Sequence, residues 1–353
     1  MTRRAVGLAA SLAFVAGTAV AEPVISLLDF ADLPGWAEDD HAAALAAFTV
    51  TCGDMRPADW GSLCAIAKDA PDARAFFELF FKPVLIEDGE PMLFTGYFEP
   101  ELPGARAPDE RFRYPIHAVP DDLPTGTPWF TRREIDEGAL AGRGLELAWL
   151  ADPVDLFFLQ IQGSGRIRLP DGSLMRVGYG GHNGHAYSSL GARLVAQGVF
   201  QPHEVSAEVI GNWVRANPEA GQELIWSNPS YVFFREVSEV PPDRGPLGAM
   251  NRSITTLRTV AVDPAFVPLG APVWIEKDGA EPMRRLMVAQ DTGSAIKGAQ
   301  RADIFFGTGR EAGRLAGRIR DAGRMVVLMP IQRAYAMQPE VLADGPLTDP
   351  ARG

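Results

Sequence analysis

Val288-Ala289-Gln290-Asp291-Thr292-Gly293-Ser294-Ala295-Ile296-Lys297-Gly298-Ala299-Gln300-Arg301-Ala302-Asp303-Ile304-Phe305-Phe306-Gly307 joins two apolar, strand-like runs by a Gly-rich connection. Asp291 follows the run Leu286 to Gln290, and Asp303 interrupts the run Ala302 to Phe306. Working outward, further short strands are read at Ile254 to Val262, Pro272 to Glu276 and Met325 to Met329,. The series holds a single helix, Glu311 to Ala322, with Ala312, Leu315, Ala316 and Ile319 on one face and Gly323 at its end,. Many short strands with one helix argue for a closed barrel rather than a doubly wound sheet.

Upstream, Met92 to Phe98 is a β-rich run closing on Glu99-Pro100, and Pro103 to Pro128 reads as a crossing between domains,. A β-meander is expected between Asp155 and Val177. Its parts are a strand over Leu156 to Gln162, a turn at Gly163-Ser164-Gly165, a strand over Arg166 to Leu169, the turn Pro170-Asp171-Gly172, and Leu174 to Val177,. Helices are expected at Ala186 to Gln197 and Pro202 to Ala216, then a strand over Tyr231 to Val237, with Pro241-Pro242 marking a second crossing,. Ahead of all this lie three expected helices, over Asp40 to Val50, Ala58 to Ala67 and Asp72 to Phe81,.

The 353 residues allow about two domains with ample core, and 46% hydrophobic with 22% charged residues is ordinary for a globular protein,. A formal charge of −12 argues against a nucleic-acid partner, which would be held by neutralised phosphates,. Arg3 and Arg4 precede an apolar run from Val6 to Ala16, then Ala19-Val20-Ala21, the pattern of a cleavable secretory signal over 1–21,. The run is too short to span a bilayer, so no transmembrane anchor is expected, and no Cys stands at the cleavage site to carry a lipid,. Export makes a Cys52–Cys64 disulfide the reading for the two cysteines, with two buried free thiols as the alternative,.

Chemistry gathers in three places. The strand Leu93 to Pro100 presents a hydroxyl, a phenol and a carboxylate (Thr95, Tyr97, Glu99) at what is expected to be an exposed strand end. Gln162-Gly163-Ser164-Gly165 and the Gly-rich segment Val177 to Tyr187 offer amides, hydroxyls and aromatic rings, which suit a neutral polyhydroxylated ligand,. His182 and His185 have no third ligand close in sequence, so no metal is assigned,. Asp291 and Asp303, with Asp263 nearby, form a carboxylate group in which at least one pKa is expected well above the ordinary value,. A neutral carboxylic acid is what protonation of a glycosidic oxygen requires. The plainer alternative has Asp263 and Asp291 capping turns and pairing with Lys297 or Arg301.

In combination, Gly96-Tyr97-Phe98-Glu99-Pro100, Gln162-Gly163-Ser164-Gly165, Gly184-His185-Ala186-Tyr187, Asn228-Pro229-Ser230-Tyr231-Val232-Phe233-Phe234 and the Asp263, Asp291, Asp303 series resemble the membrane-bound lytic murein transglycosylase A family, with its C-terminal three-aspartate ("3D") domain. The resemblance runs in order from about Met92 to Pro330. It implies a mainly β fold: a double-psi β-barrel from 22–104, which includes the N-terminal helices, and 237–335, a smaller β-domain inserted over 105–236, and a tail over 336–353. It also implies cleavage of the β-1,4 bond between N-acetylmuramic acid and N-acetylglucosamine, ending in a 1,6-anhydro sugar. The family's acid maps to Asp303, with Asp291 and Asp263 in support. Thr95, Gly96, Tyr97, Gln162, Gly163, Ser164, Tyr179, Asn183, Tyr187 and Lys297 are the residues expected to grip saccharides, Lys297 facing Asp291 or the substrate.

The implied partners are peptidoglycan glycan strands and wall-remodelling proteins, met in the periplasm by a monomer that needs no cofactor. Family members are often lipoproteins, and this chain departs from them in lacking the lipidated Cys. Two other readings stand beside this one. A water-using glycoside hydrolase would employ Asp291 and Asp303 as a carboxylate pair. A non-catalytic wall-binding protein would hold murein without turnover.

Overall fold

The computed structural model describes residues 22–56 and 58–338, so the expected leader over 1–21 and most of the tail over 336–353 lie outside the described residues. In chain order the elements are β1 Val24–Leu27, α1 His41–Thr51, α2 Ala58–Lys68, α3 Ala73–Phe80, β2 Phe81–Glu87, β3 Leu93–Glu99, β4 Glu101–Ala105, β5 Tyr114–His117, α4 Arg132–Glu134, β6 Glu146–Leu150 and α5 Pro153–Gln162. Then follow β7 Ser164–Arg168, β8 Leu174–His182, α6 Leu190–Ala196, α7 Ala207–Ala216, α8 Pro218–Trp226, β9 Val232–Glu236, β10 Thr259–Val262, β11 Pro272–Lys277, β12 Met283–Asp291, β13 Arg301–Thr308, α9 Gly309–Ala316, β14 Arg320–Asp321, β15 Gly323–Pro330 and α10 Ile331–Ala336.

The strands form two mixed sheets. A nine-stranded sheet runs β1-β2-β15-β11-β12-β10-β13-β3-β14, and a six-stranded sheet runs β5-β6-β4-β7-β8-β9. The protein is therefore mainly β, with helices on the sheets. Most neighbours are antiparallel, but β10–β12 and β13–β3 in the first sheet and β4–β7 in the second are parallel.

The first three helices stand where the sequence places them, and aspartates cap two of them: Asp40 accepts from the amide of Ala43 at the start of α1, and Asp72 from that of Ala75 at the start of α3,. Their aromatic faces (Phe48, Trp60, Phe76 and Phe77) pack with Phe81 of β2 into the same core as Val260, Val273 and Trp274 of the large sheet. Cys52 and Cys64 are disulfide-bonded, their Cα atoms 5.3 Å apart, and join the end of α1 to α2.

The expected strand over Leu156 to Gln162 is instead the helix α5. Asp152 accepts from the amide of Val154, Pro153 occupies the first turn, and Gly163 ends the helix in the left-handed conformation,. Val154, Phe157, Leu156, Leu159 and Gln160 are buried at helical spacing, a pattern that a short apolar run leaves ambiguous with a strand,. Ser164, assigned to a turn, opens β7. The helix expected over Pro202 to Ala216 starts only at Ala207, capped by Ser206. The one expected over Glu311 to Ala322 ends at Ala316, leaving β14 as a two-residue edge strand.

Candidate active site

The site is a row across adjacent strands of the large sheet. Ala261 of β10 pairs with Asp291 of β12 on one side and with Asp303 of β13 on the other. Asp303 in turn pairs with Thr95 of β3, and Thr95 with Arg320 of β14. Residues in register across a sheet share a face, so the row lies on one surface. The β10–β12 pairing carries a bulge at which Val260 faces Ala289 and Ala261 faces Asp291, leaving Gln290 unpaired. Gln290 turns to α1, donating to the carbonyl of Ala47 at 2.8 Å and to the Thr51 hydroxyl at 3.0 Å. The extra residue thereby aims Asp291 into the row, a use of bulges common beside active sites.

Thr95 donates from its hydroxyl to Asp303 Oδ1 at 2.6 Å, and the Arg301 guanidinium donates to Thr95 Oγ1 at 2.9 Å. Arg301 also donates to the carbonyls of Ala302 and Leu93. The guanidinium thus reaches Asp303 through a hydroxyl instead of pairing with it directly. Burial pushes the Asp303 carboxyl up to about 6, against the opposing pull of the Thr95 hydrogen bond and of Arg301,.

Asp291 is also pushed to about 6, first by burial and further by Asp303, while its hydrogen bonds oppose the rise,. Its Oδ2 accepts from the Tyr97 phenol at 2.9 Å, and its Oδ1 accepts from the amides of Thr292 at 2.9 Å and Ala249 at 3.0 Å. Burial and the neighbouring carboxylate raise the Tyr97 phenol well above its ordinary value, so it stays a donor. The Asp291 carboxyl is committed on both oxygens; that of Asp303 keeps one oxygen without a protein donor among the described hydrogen bonds.

Thr95, Tyr97 and Glu99 alternate onto one face of β3,. Glu99, however, is not exposed: at 0% accessibility it accepts from Arg166 Nε at 2.8 Å and from the Thr308 hydroxyl at 2.7 Å, with Arg176 Nε at 2.8 Å. Arg166 and Arg176 belong to β7 and β8, so this carboxylate ties the large sheet to the small one.

Several residues expected to bind saccharides have other employment. Gly96 faces away from the row, where a Cβ would come 2.7 Å from Ala316 Cα, so its missing side chain admits α9 onto the back of β3. Gln162 accepts from the amide of Phe98 at 3.0 Å, Gly163 is the left-handed end of α5, and Ser164 is buried in β7. Asn183, 1% exposed, spends its side chain on the carbonyls of Phe130 and Pro229 and on the amides of Tyr231 and His185. Asp263 caps a turn, accepting from Ala265 and Gly298, and Lys297 lies 3.8 Å from it, not by Asp291. His182 accepts from the amide of Gly184 and His185 meets the carbonyl of Trp129, while among the described residues no His, Cys, Asp and Glu gather in a metal-holding group. Tyr179 and Tyr187 are solvent-exposed on and after β8.

Arg301 was missed by the sequence reading as part of the site. The signal was present in the two-residue period of a strand, which puts it on the same face as Asp303,.

A buried aspartate raised to about 6, with one hydroxyl donor and a committed second carboxyl beside it, makes a site suited to acid–base chemistry. Comparison with known proteins gives it a family. The chain matches the family model of the MltA specific insert domain over residues 93–235 and that of the 3D domain over 258–329. It is 36% identical over 267 residues to a membrane-bound lytic murein transglycosylase A of Vibrio cholerae, covering 70% of this chain and 69% of that one. Among solved structures, a membrane-bound lytic murein transglycosylase from Agrobacterium tumefaciens superposes with a TM-score of 0.81 at 34% identity, covering 89% of this chain and 99% of that one. E. coli MltA with bound chitohexaose superposes with a TM-score of 0.71 at 30% identity, covering 87% of this chain and 94% of that one. The chain belongs to the membrane-bound lytic murein transglycosylase A family.

Proposed function

We propose that this protein is a lytic murein transglycosylase that cleaves the β-1,4 bond between N-acetylmuramic acid and N-acetylglucosamine and serves cell-wall turnover. Family membership supports the activity, and the arrangement around Asp303 supports the chemistry. The carrying observation is a carboxyl pushed to about 6 with only one of its oxygens occupied by a hydroxyl donor.

In this reading the protonated Asp303 gives its proton to the glycosidic oxygen as the bond to C1 of muramic acid breaks through an oxocarbenium-like state. The new carboxylate, steadied by Thr95, then takes the proton from the C6 hydroxyl of the same sugar while that oxygen closes on C1. The nucleophile is part of the substrate, so its effective concentration is high and one carboxyl serves as acid and base in turn. Asp291 and Tyr97 position the row instead of activating water, because both Asp291 oxygens are already accepting. That commitment weighs against a hydrolase, whose second carboxylate must be free to hold water or attack the sugar.

The nine-stranded sheet and the N-terminal helices are proposed to form the double-psi barrel domain, and the six-stranded sheet the insert, which with β4 starts at Glu101, a few residues before the 105–236 read from the sequence. The sugar polymer would run along the face carrying the row, with Tyr179 and Tyr187 on the insert side. Among the described residues no helix is long and apolar enough to cross a membrane. A periplasmic location follows from the leader read over 1–21.

Digestion of isolated sacculi followed by mass analysis tests the reaction type. Wild type is expected to release muropeptides ending in anhydromuramic acid, lighter by one water than reducing ends, and Asp303→Ala is expected to release none. Reducing ends from wild type would establish the hydrolase, and binding without any product would establish the wall-binding protein.

A further inference from the structure

The row of site residues ends in a cation that the mechanism does not use. Arg320 stands on β14, the last strand of the large sheet, in register with Thr95 and therefore on the face that carries Asp303. Strands lie ~4.8 Å apart, which puts its backbone roughly 10 Å from that of Asp303. Its side chain is exposed. Asp321, the next residue, is held by Lys277, and Glu311 on α9 by Arg314, so these carboxylates are taken; among the described residues none pairs with Arg320. The other arginine beside Asp303, Arg301, is committed to Thr95 and to two carbonyls. In a chain of net charge −12, Arg320 is thus the guanidinium left over at the edge of the row.

We propose that Arg320 receives the carboxylate of the muramoyl side arm, the lactyl group at C3 of the sugar being cleaved or the peptide attached to it. This rests on the transglycosylase reading. Murein is a neutral glycan with anionic arms, and an anionic enzyme must meet those arms with local positive charge to avoid repelling them. A guanidinium suits the task because its fork matches a carboxylate in two parallel hydrogen bonds. The competing role for a charged residue on an edge strand is to keep other strands from adding there. That role is indifferent to what the substrate carries.

Three ligands separate the alternatives: strands with peptide stems, strands stripped of peptide so that the lactyl carboxylate is free, and chitohexaose, which has no carboxylate. For Arg320→Ala, kcat/KM on at least one kind of carboxylate-bearing strand is expected to fall roughly three- to fivefold, the size of an exposed ion pair. Chitohexaose affinity is expected to hold within about twofold, the loss to deepen in Arg320→Glu, and the difference to shrink as salt is added. A loss confined to peptide-bearing strands identifies the stem as the source, and a loss on stripped strands identifies the lactyl group. Equal loss on all three ligands, or none on either strand, overturns the proposal. A wild type that makes no anhydro product from either strand refutes the underlying transglycosylase reading instead.

Discussion

Two carboxylates on the same sheet, Glu99 and Asp303, are treated in opposite ways. Glu99, with no accessible surface, has two guanidiniums and a hydroxyl pressed against it, and it joins the sheets. Asp303, which pairs with Thr95 four residues before Glu99 on β3, receives one hydroxyl, and the nearest guanidinium is turned aside onto that hydroxyl and onto backbone carbonyls. Counter-charge delivered directly makes Glu99 a tie between the two sheets. Counter-charge delivered through a threonine leaves burial in command, and the group holds a proton to about 6,. Placement of arginine, more than burial as such, separates the strut from the acid.

That contrast is broken most severely by removing the acid. Asp303→Asn is expected to lower turnover of sacculi by about 10²–10⁴-fold. The same substitution should not destabilise at neutral pH. Because the native carboxyl is raised from 3.8 to about 6, the folded state holds a proton that the unfolded chain has released across that window. Its stabilising contribution is therefore complete below about 4 and lost as pH rises through about 6. Thermal denaturation at pH 7 should show Asp303→Asn as stable as wild type or more so, by up to about 1–3 kcal/mol.

Glu99→Gln is expected to do the reverse, costing about 3–5 kcal/mol by leaving Arg166 and Arg176 without their anion; a denaturant midpoint reads it,. If both variants behave alike, the distinction between strut and acid fails. Reduction of the Cys52–Cys64 bridge, or its double Ser variant, is expected to cost about 3 kcal/mol at the α1–α2 corner, measured in the same way,.

Smaller changes sharpen the contrast. Tyr97→Phe removes the phenol that holds Asp291 and should lower kcat by roughly tenfold with little change in KM, as loss of one hydrogen bond to a charged group predicts,. Arg301→Gln removes a charge that lowers the Asp303 pKa, so the alkaline limb of the rate profile should move to higher pH,.

How much of this was legible in the sequence follows from which forces are local. The N-terminal helices announce themselves through Asp40 and Asp72, whose capping is a contact three residues long. Asp303, Asp291, Thr95 and Tyr97 were visible as polar residues in or beside strands. What brings them together, the register of Ala261 between two aspartates and the unpaired Gln290, depends on strand pairing that no local pattern encodes,. Leu156 to Gln162 was misread as a strand because a short apolar run fits either period. Asn183 and Gln162 lie in segments that suit sugar binding, yet their amides are used by backbone groups distant in sequence. Glu99 read as exposed at a strand end because the arginines that cover it are 67 and 77 positions further along the chain.

The claim on which the account rests is that Asp303 is neutral when it meets the substrate. Carbon-detected NMR of its labelled carboxyl, assigned by comparison with Asp303→Asn, reads this directly in the intact protein. A titration midpoint near 6 is expected. A midpoint near the ordinary 3.8, with the enzyme active at neutral pH, would contradict it.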